Sequence, residues 1–150
     1  MNVFVTVGTT RFDALVQACD QLAATSEHEF VVQHANPDLM LNHARGQVFF
    51  DDVAERYAAA DVVITHAGAG SIFRLLEMGK TIIVVPNFER IDKHQSDIAR
   101  YVEENQYALV CWAPEALAVM LRKAASFVPA RYAKEDFFKF EEMAQIIQSL

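Results

Sequence analysis

Residues 61–86, DVVITHAGAGSIFRLLEMGKTIIVVP, decide the fold of this chain. Residues 62–65 form a short apolar run rich in β-branched side chains, which is typical of a strand buried on both faces. Gly68 and Gly70 interrupt the run, apolar residues then recur at helical spacing, and residues 81–85 form a second apolar strand. Two strands joined by a helix predict a right-handed βαβ crossover in a parallel sheet.

The limits of the predicted helix come from small polar residues. Ser71 is predicted to cap a helix over residues 72–78, because its hydroxyl can accept a hydrogen bond from the first turn. Gly79 suits the position just after the helix, where the chain often takes a left-handed conformation.

The turn between the first strand and the helix is a candidate anion site. A helix N-terminus after a glycine turn presents unpaired N–H groups and a partial positive charge, which suits phosphate. In open α/β sheets, ligands bind beyond the carboxyl ends of the strands, where this turn lies. The candidate residues are His66, Gly68, Ala69, Gly70 and Ser71. The alternative is a turn that only reverses the chain, with His66 in a structural role.

Length and composition set the class of protein. The chain has 150 residues, enough for one domain with a core, and its 53% hydrophobic content indicates a globular protein. A net charge of −7 argues against nucleic acid as the main partner. No apolar run reaches the roughly 20 residues of a membrane span, and the N-terminus lacks a leader pattern, so we expect a cytoplasmic protein. Cys19 and Cys111 are isolated, which predicts buried thiols.

A second candidate loop follows the opening strand, which is predicted over residues 3–7. Gly8, Thr9 and Thr10 come directly after this strand and before a helical pattern, so they also lie at a strand's carboxyl end. The dinucleotide fingerprint Gly-x-Gly-x-x-Gly is absent here, and at the central turn Phe73 stands where its third glycine is needed. The sequence therefore argues against NAD binding.

The remaining periodicity predicts an alternation of strands and helices. Strands are predicted at residues 30–33, 48–50 and 107–112, and helices at 94–105, 115–126, 132–150 and up to residue 60 after Asp51 or Asp52. Together they predict an α/β fold, a Rossmann-like and mostly parallel sheet with helices on both faces, as one domain over residues 1–150. The last helix is rich in phenylalanine, so it either packs on the domain's own core or contacts a partner.

Four motifs in this order resemble the C-terminal domain of family 28 glycosyltransferases. They are VTVGTTRFD at residues 5–13, THAGAGSI at 65–72, GKTIIVVP at 79–86, and HQ at 94–95. The resemblance covers most of residues 1–125. More narrowly, the chain is similar to short stand-alone members, such as the catalytic subunit of the eukaryotic UDP-N-acetylglucosamine transferase and exopolysaccharide glycosyltransferase subunits of bacteria.

The resemblance implies the donor-binding half of a GT-B fold and assigns roles to the motifs. The turn of residues 66–71 would hold the diphosphate of a UDP-sugar, and the Gly8-Thr9-Thr10 loop would face the same cleft. His94 and Gln95 would reach hydroxyl groups of the sugar. Without the other motifs, the His-Gln pair would be an ordinary polar helix start.

The implied function is that of the donor-binding, catalytic subunit of a bipartite and inverting UDP-sugar transferase in polysaccharide or lipid-linked oligosaccharide synthesis. A membrane-associated partner would bind the acceptor and bring the chain to the membrane, with residues 137–150 as part of the contact. No cofactor is implied, and no metal, because an Asp-x-Asp pair is absent and the helix end replaces the cation. The alternative is a non-catalytic module that binds or senses a nucleotide sugar.

One position departs from the family pattern. Many relatives carry Glu eight residues after the turn histidine, where its carboxylate accepts hydrogen bonds from both ribose hydroxyls. This chain has Arg74, which can only donate, so it cannot replace that acceptor. Glu77, one helical turn further along, is the remaining carboxylate that could stand in.

Overall fold

The computed structural model describes residues 1–87 and 93–132, which fold as alternating strands and helices. The strands are β1 (Asn2–Thr6), β2 (Glu29–Gln33), β3 (Arg45–Gln47), β4 (Val62–His66), β5 (Thr81–Val85) and β6 (Leu109–Val110). The helices are α1 (Asp13–Thr25), α2 (Val53–Ala59), α3 (Ala69–Glu77), α4 (Lys93–Glu104) and α5 (Leu117–Ala124), with a 3₁₀ turn at Pro114–Ala116.

The strands form one parallel sheet in the order β3-β2-β1-β4-β5-β6. This is the doubly wound order of Rossmann-like domains, so the predicted fold class is confirmed. The order reverses between β1 and β4, because the chain builds one half of the sheet outward from β1 and the other outward from β4. That reversal point determines where the candidate site lies.

Both faces of the sheet are buried, which explains the continuous apolar strands. In β4, Ile64 belongs to the core on the side of α1 and α5, whereas its neighbour Val63 belongs to the core beneath α2, α3 and α4. Successive side chains of a strand point to opposite faces, so a central strand such as β4 supplies both cores. Cys19 and Cys111 are free buried thiols in the first core, as predicted.

The C-terminal end of α3 is built as the sequence predicts. Gly79 has φ +72°, a conformation that glycine adopts without a Cβ penalty. Its N–H bonds to the carbonyl of Leu76 at 3.1 Å, and the N–H of Lys80 bonds to the carbonyl of Leu75 at 3.1 Å. These two bonds form a Schellman motif, which ends the helix and sends the chain into β5.

Two strands differ from the prediction. The strand predicted at residues 48–50 is wrong: the edge strand is instead Arg45–Gln47, which is solvent-exposed, and Phe50 turns into the core against Phe4. The strand predicted at 107–112 shortens to β6, because the N–H groups of Tyr107 and Ala108 bond to the carbonyl of Val102 in α4.

The helix predicted over 115–126 begins as the 3₁₀ turn, and α5 follows it. Asp52 does occupy the N-cap of α2, although no described side chain makes the capping hydrogen bond there. Of the helix predicted at 132–150, all but Tyr132 lies outside the described residues. No helix in the described part of the chain has the length and apolar character needed to cross a membrane.

Candidate functional site

The candidate site lies at the carboxyl edge of the sheet, where the strand order reverses. The loop after β1 leads to α1 on one face, and the loop after β4 leads to α3 on the other. The two loops therefore diverge and leave a crevice between them, which is the usual ligand position in open α/β sheets. This topology brings the two predicted loops together, although they lie about sixty residues apart in the sequence.

The imidazole of His66 lies between two glycines. A Cβ added to Gly8 would lie 2.9 Å from Cε1 and 3.2 Å from Nε2 of His66, and Gly8 also has φ +68°. A Cβ added to Gly68 would overlap Nε2 of the same ring and lie 2.9 Å from its Cδ2 and Cε1. Gly68 has φ −97°, which any residue can adopt, so the nearness of the imidazole alone requires a glycine there.

Burial controls the protonation of His66. Removal from water lowers the pKa of the imidazole below its ordinary value of 6.5, and a hydrogen bond to the backbone of Thr6 offsets part of this effect. The ring is therefore neutral at pH 7, with one N–H donor and one acceptor nitrogen. Nδ1 also lies 3.4 Å from Oγ1 of Thr65, which helps to hold the ring in the crevice.

The N-terminus of α3 opens onto the crevice. Gly68 is its N-cap, and no described side chain makes a capping hydrogen bond to this helix end. The first turn comprises Ala69, Gly70 and Ser71, whose N–H groups have no intrahelical acceptor because of helix geometry. The predicted cap by Ser71 is wrong, because the helix begins earlier, at Ala69, and the Ser71 hydroxyl hydrogen-bonds to Tyr57.

A cavity of about 370 Å³ occupies the crevice. Its volume is within the range of pockets that bind small molecules. Residues from the loops after β1, β4 and β5 and from α4 line it: Thr10, Arg11, Phe12, His66, Ala67, Gly68, Asn87 and Gln95. Four of the predicted site residues thus share one cavity, while Gly8 packs against His66 behind it and Thr9 is exposed.

Gln95 is anchored by the backbone of the loop after β5. Its Oε1 accepts a hydrogen bond from the N–H of Asn87 at 3.0 Å, which ties the start of α4 to the carboxyl end of β5. His94 is half-buried and does not line the cavity. The predicted contact of these two side chains with a sugar stays a prediction, and Gln95 is the better placed of the two.

The sequence prediction missed Arg11, Phe12, Ala67 and Asn87. Arg11 donates a hydrogen bond from Nη2 to Oδ2 of Asp13 at 2.6 Å. The available signal was the position of Arg11, a cation in the first motif that directly follows a loop at a strand's carboxyl end.

Arg74 lies away from the crevice. It is exposed, and its guanidinium carbon is 6.0 Å from the ring centre of Tyr57 in α2. Glu77 ends α3, and at 1.5 Å per residue it lies about 12 Å along the helix axis from Ala69. A ligand bound at the first turn of α3 would therefore be far from this carboxylate.

Two other cavities lie away from the point where the strand order reverses. One of about 260 Å³ lies at the amino edge of the sheet, where Asn2, Glu29 and Arg45 begin their strands. Another of about 460 Å³ separates α1 from α5 and exposes mainly apolar surface. Among the described residues, no group of three or more His, Cys, Asp or Glu side chains could hold a metal ion.

The comparisons with known proteins agree on one family. The model of the glycosyltransferase family 28 C-terminal domain matches residues 2–150. The human UDP-N-acetylglucosamine transferase subunit ALG13 is 34% identical over 125 residues, which are 73% of this chain and 11% of that protein. This chain therefore spans only a small part of that relative.

Solved structures of glycosyltransferases share the fold. The crystal structure of MurG from Acinetobacter baumannii superimposes with a TM-score of 0.66 at 19% identity, over 100% of this chain and 52% of the MurG chain. The solution structure of ALG13 superimposes with a TM-score of 0.61 at 22% identity, over 88% of this chain and 89% of that chain.

Proposed function

The chain belongs to the glycosyltransferase family 28 C-terminal domain family, and from this premise we propose that it binds the UDP-sugar donor of a glycosyltransferase and activates it for transfer. It would act as one half of the enzyme, in the synthesis of a polysaccharide or a lipid-linked oligosaccharide. The named activity of the human relative supports UDP-N-acetylglucosamine as the first donor to test.

The observation that carries this proposal is that one cavity is lined both by Gly68, the N-cap of α3, and by His66. Both present N–H donors, and the helix adds a partial positive charge of about half a unit. A diphosphate is an acceptor-only dianion, so it matches this arrangement better than a neutral ligand does.

The same groups would catalyse transfer by stabilising the leaving group. The acceptor hydroxyl attacks the anomeric carbon of the sugar, and the bond from that carbon to the phosphate oxygen breaks. The electron pair stays with the departing UDP, where fixed N–H donors at the first turn of α3 stabilise the new charge. The hydroxyl proton passes to a base, which we assign to the acceptor-binding half of the enzyme.

We propose a second half because the active site of GT-B enzymes is a cleft between two domains. This chain forms one Rossmann-like wall and corresponds to 52% of a MurG chain. With a net charge of −7, it would be repelled by an anionic membrane. We therefore assign membrane recruitment to a protein partner, with residues 137–150 as one contact.

Transfer assays with and without the partner test this function. We expect the purified chain to bind UDP and to transfer almost no N-acetylglucosamine to a lipid or glycan acceptor. Coexpression with its acceptor-binding partner should move the chain to the membrane fraction and restore transfer. Robust transfer by the chain alone would contradict the bipartite assignment, and failure to bind UDP would contradict the donor site.

A nucleotide-sugar-binding module without transferase activity is the second candidate. Arg74 favours it, because an arginine stands where many relatives carry the carboxylate that binds ribose, and this side chain points to Tyr57 in α2. This candidate predicts UDP binding together with no transfer, whether or not the partner is present.

A further inference from the structure

The cavity at the point where the strand order reverses contains one charged side chain among its described lining residues. Arg11 is that residue, since the others are neutral at pH 7, including His66 with its lowered pKa. The diphosphate of a nucleotide sugar carries two negative charges, and the α3 N-terminus supplies only about half a positive charge. A side-chain cation would add to this partial neutralisation, and Arg11 is in place to supply it.

A chain of hydrogen bonds holds the side chain of Arg11 in position. Its Nη2 donates to Oδ2 of Asp13 at 2.6 Å, and the same oxygen accepts from Nδ2 of Asn36 at 3.2 Å. Asn36 is buried, and its Oδ1 accepts the N–H of Asp38 at 3.0 Å. Asp13 thus holds the guanidinium at the cavity while a buried amide holds Asp13.

The charge of Asp13 does not cancel this role. Asp13 does not line the cavity, and it is the first residue of α1, where the positive end of that helix favours a carboxylate. The bond to Asp13 uses one of the five N–H donors of the guanidinium. The planar fork of an arginine can still offer two parallel donors to a phosphate.

We propose that Arg11 contacts the diphosphate of the bound donor and that Asp13 is its positioning residue. This proposal rests on the proposed function, because it takes the donor to be a nucleotide diphosphate sugar in this cavity. It assigns a charged contact with the donor to the loop after β1, which the family resemblance only places at the same cleft.

Calorimetric titration of UDP into three variants tests the contact. Arg11→Gln removes the charge, Arg11→Lys keeps the charge without the fork, and Arg45→Gln removes an equal charge from the exposed edge strand β3. Urea unfolding first establishes that each variant is folded. We expect Arg11→Gln to weaken UDP binding about tenfold, the lower end for a charged hydrogen bond, because the side chain is half-exposed.

The controls separate a contact from a change in overall charge. Arg11→Lys should lie between the wild type and Arg11→Gln, and Arg45→Gln should bind UDP within about twofold of the wild type. Arg11→Gln should also flatten the salt dependence of UDP affinity, because one charged contact is lost. Equal losses in Arg11→Gln and Arg45→Gln, or unchanged affinity in Arg11→Gln, would overturn the proposal.

A double-mutant cycle tests the positioning role of Asp13. Asp13→Asn removes a negative charge, so a purely Coulombic effect would strengthen UDP binding. We expect it to weaken binding instead, and to have almost no effect in the Arg11→Gln background. Additive losses would refute the positioning role. A wild type that fails to bind UDP would overturn the proposed function as well, whereas normal binding with an unaffected Arg11→Gln variant overturns only this inference.

Discussion

Replacing Gly68 by alanine perturbs the contact that organises the crevice. The new methyl group would overlap Nε2 of His66 and lie 2.9 Å from two other ring atoms, distances that real Cβ atoms do not adopt. The backbone of Gly68 tolerates alanine, so the imidazole must move. A displaced ring loses one hydrogen bond to the diphosphate, worth about 1.5–3 kcal/mol for a charged acceptor. We therefore expect UDP affinity to fall by about tenfold to a hundredfold.

Two measurements on the same sample check this reasoning. Calorimetry gives the UDP affinity, and an NMR titration gives the pKa of His66, which should rise towards 6.5 as the ring moves into water. Gly70→Ala is the matched control for the ring, because its added methyl group meets no atom within 4 Å. It should leave the His66 titration unchanged. An unshifted His66 pKa together with unchanged UDP affinity in Gly68→Ala would refute the account of the turn.

Three further predictions concern Asp20, His66 and Gln95. Asp20→Asn should lower the free energy of unfolding in urea by about 1–3 kcal/mol, because its carboxylate accepts the N–H groups of Asn42, His43 and Ala44. Burial alone would raise the pKa of Asp20, but these bonds outweigh it and lower the pKa, so the stabilisation is complete above pH 3.8 and is lost as pH falls through the lowered value. The affinity for UDP-N-acetylglucosamine should rise as pH falls through the range between the pKa of His66 in the complex and its lowered pKa in the free protein, because a bound dianion raises this pKa. His66→Asn should remove that dependence in calorimetry. Gln95→Ala should weaken binding of the UDP-sugar by about 1–3 kcal/mol and of UDP much less, and equal losses would show that Gln95 acts only through Asn87.

The sheet was predictable because its central strands are buried on both faces. The contiguous apolar runs at β4 and β5 cannot face water, so their sequence alone indicates a parallel sheet. Gly79 was predictable for a different reason: the residue after a helix often takes a positive φ, which favours glycine.

Features that depend on tertiary contacts were not predictable in the same way. The edge strand Arg45–Gln47 carries no apolar signal, because edge strands are solvated and charged residues protect them. The packing of His66 between Gly8 and Gly68 joins two loops that lie far apart in the sequence, so a local pattern does not report it. For the same reason, the sequence pointed to the glycines as phosphate contacts and not as neighbours of the imidazole.

The roles of Arg11 and Gln95 also depend on the fold. Arg11 lines the cavity because the loops after β1 and β4 lie on either side of it, where the strand order reverses. The bond from the Asn87 N–H to Gln95 joins residues 8 positions apart in the sequence, and periodicity does not report such a contact.

An NMR titration of UDP into the isotope-labelled chain tests the central claim most directly, because it locates the diphosphate without depending on a partner or an acceptor. Binding at the crevice predicts saturable shifts of the backbone amides of Gly68, Ala69 and Gly70, the first turn of α3, together with those of Thr10 and Arg11. The amide signals of residues that line the cavity between α1 and α5 should not shift. Saturable UDP binding that shifts the amide signals of the cavity between α1 and α5, and leaves those of the first turn of α3 unchanged, would contradict the account.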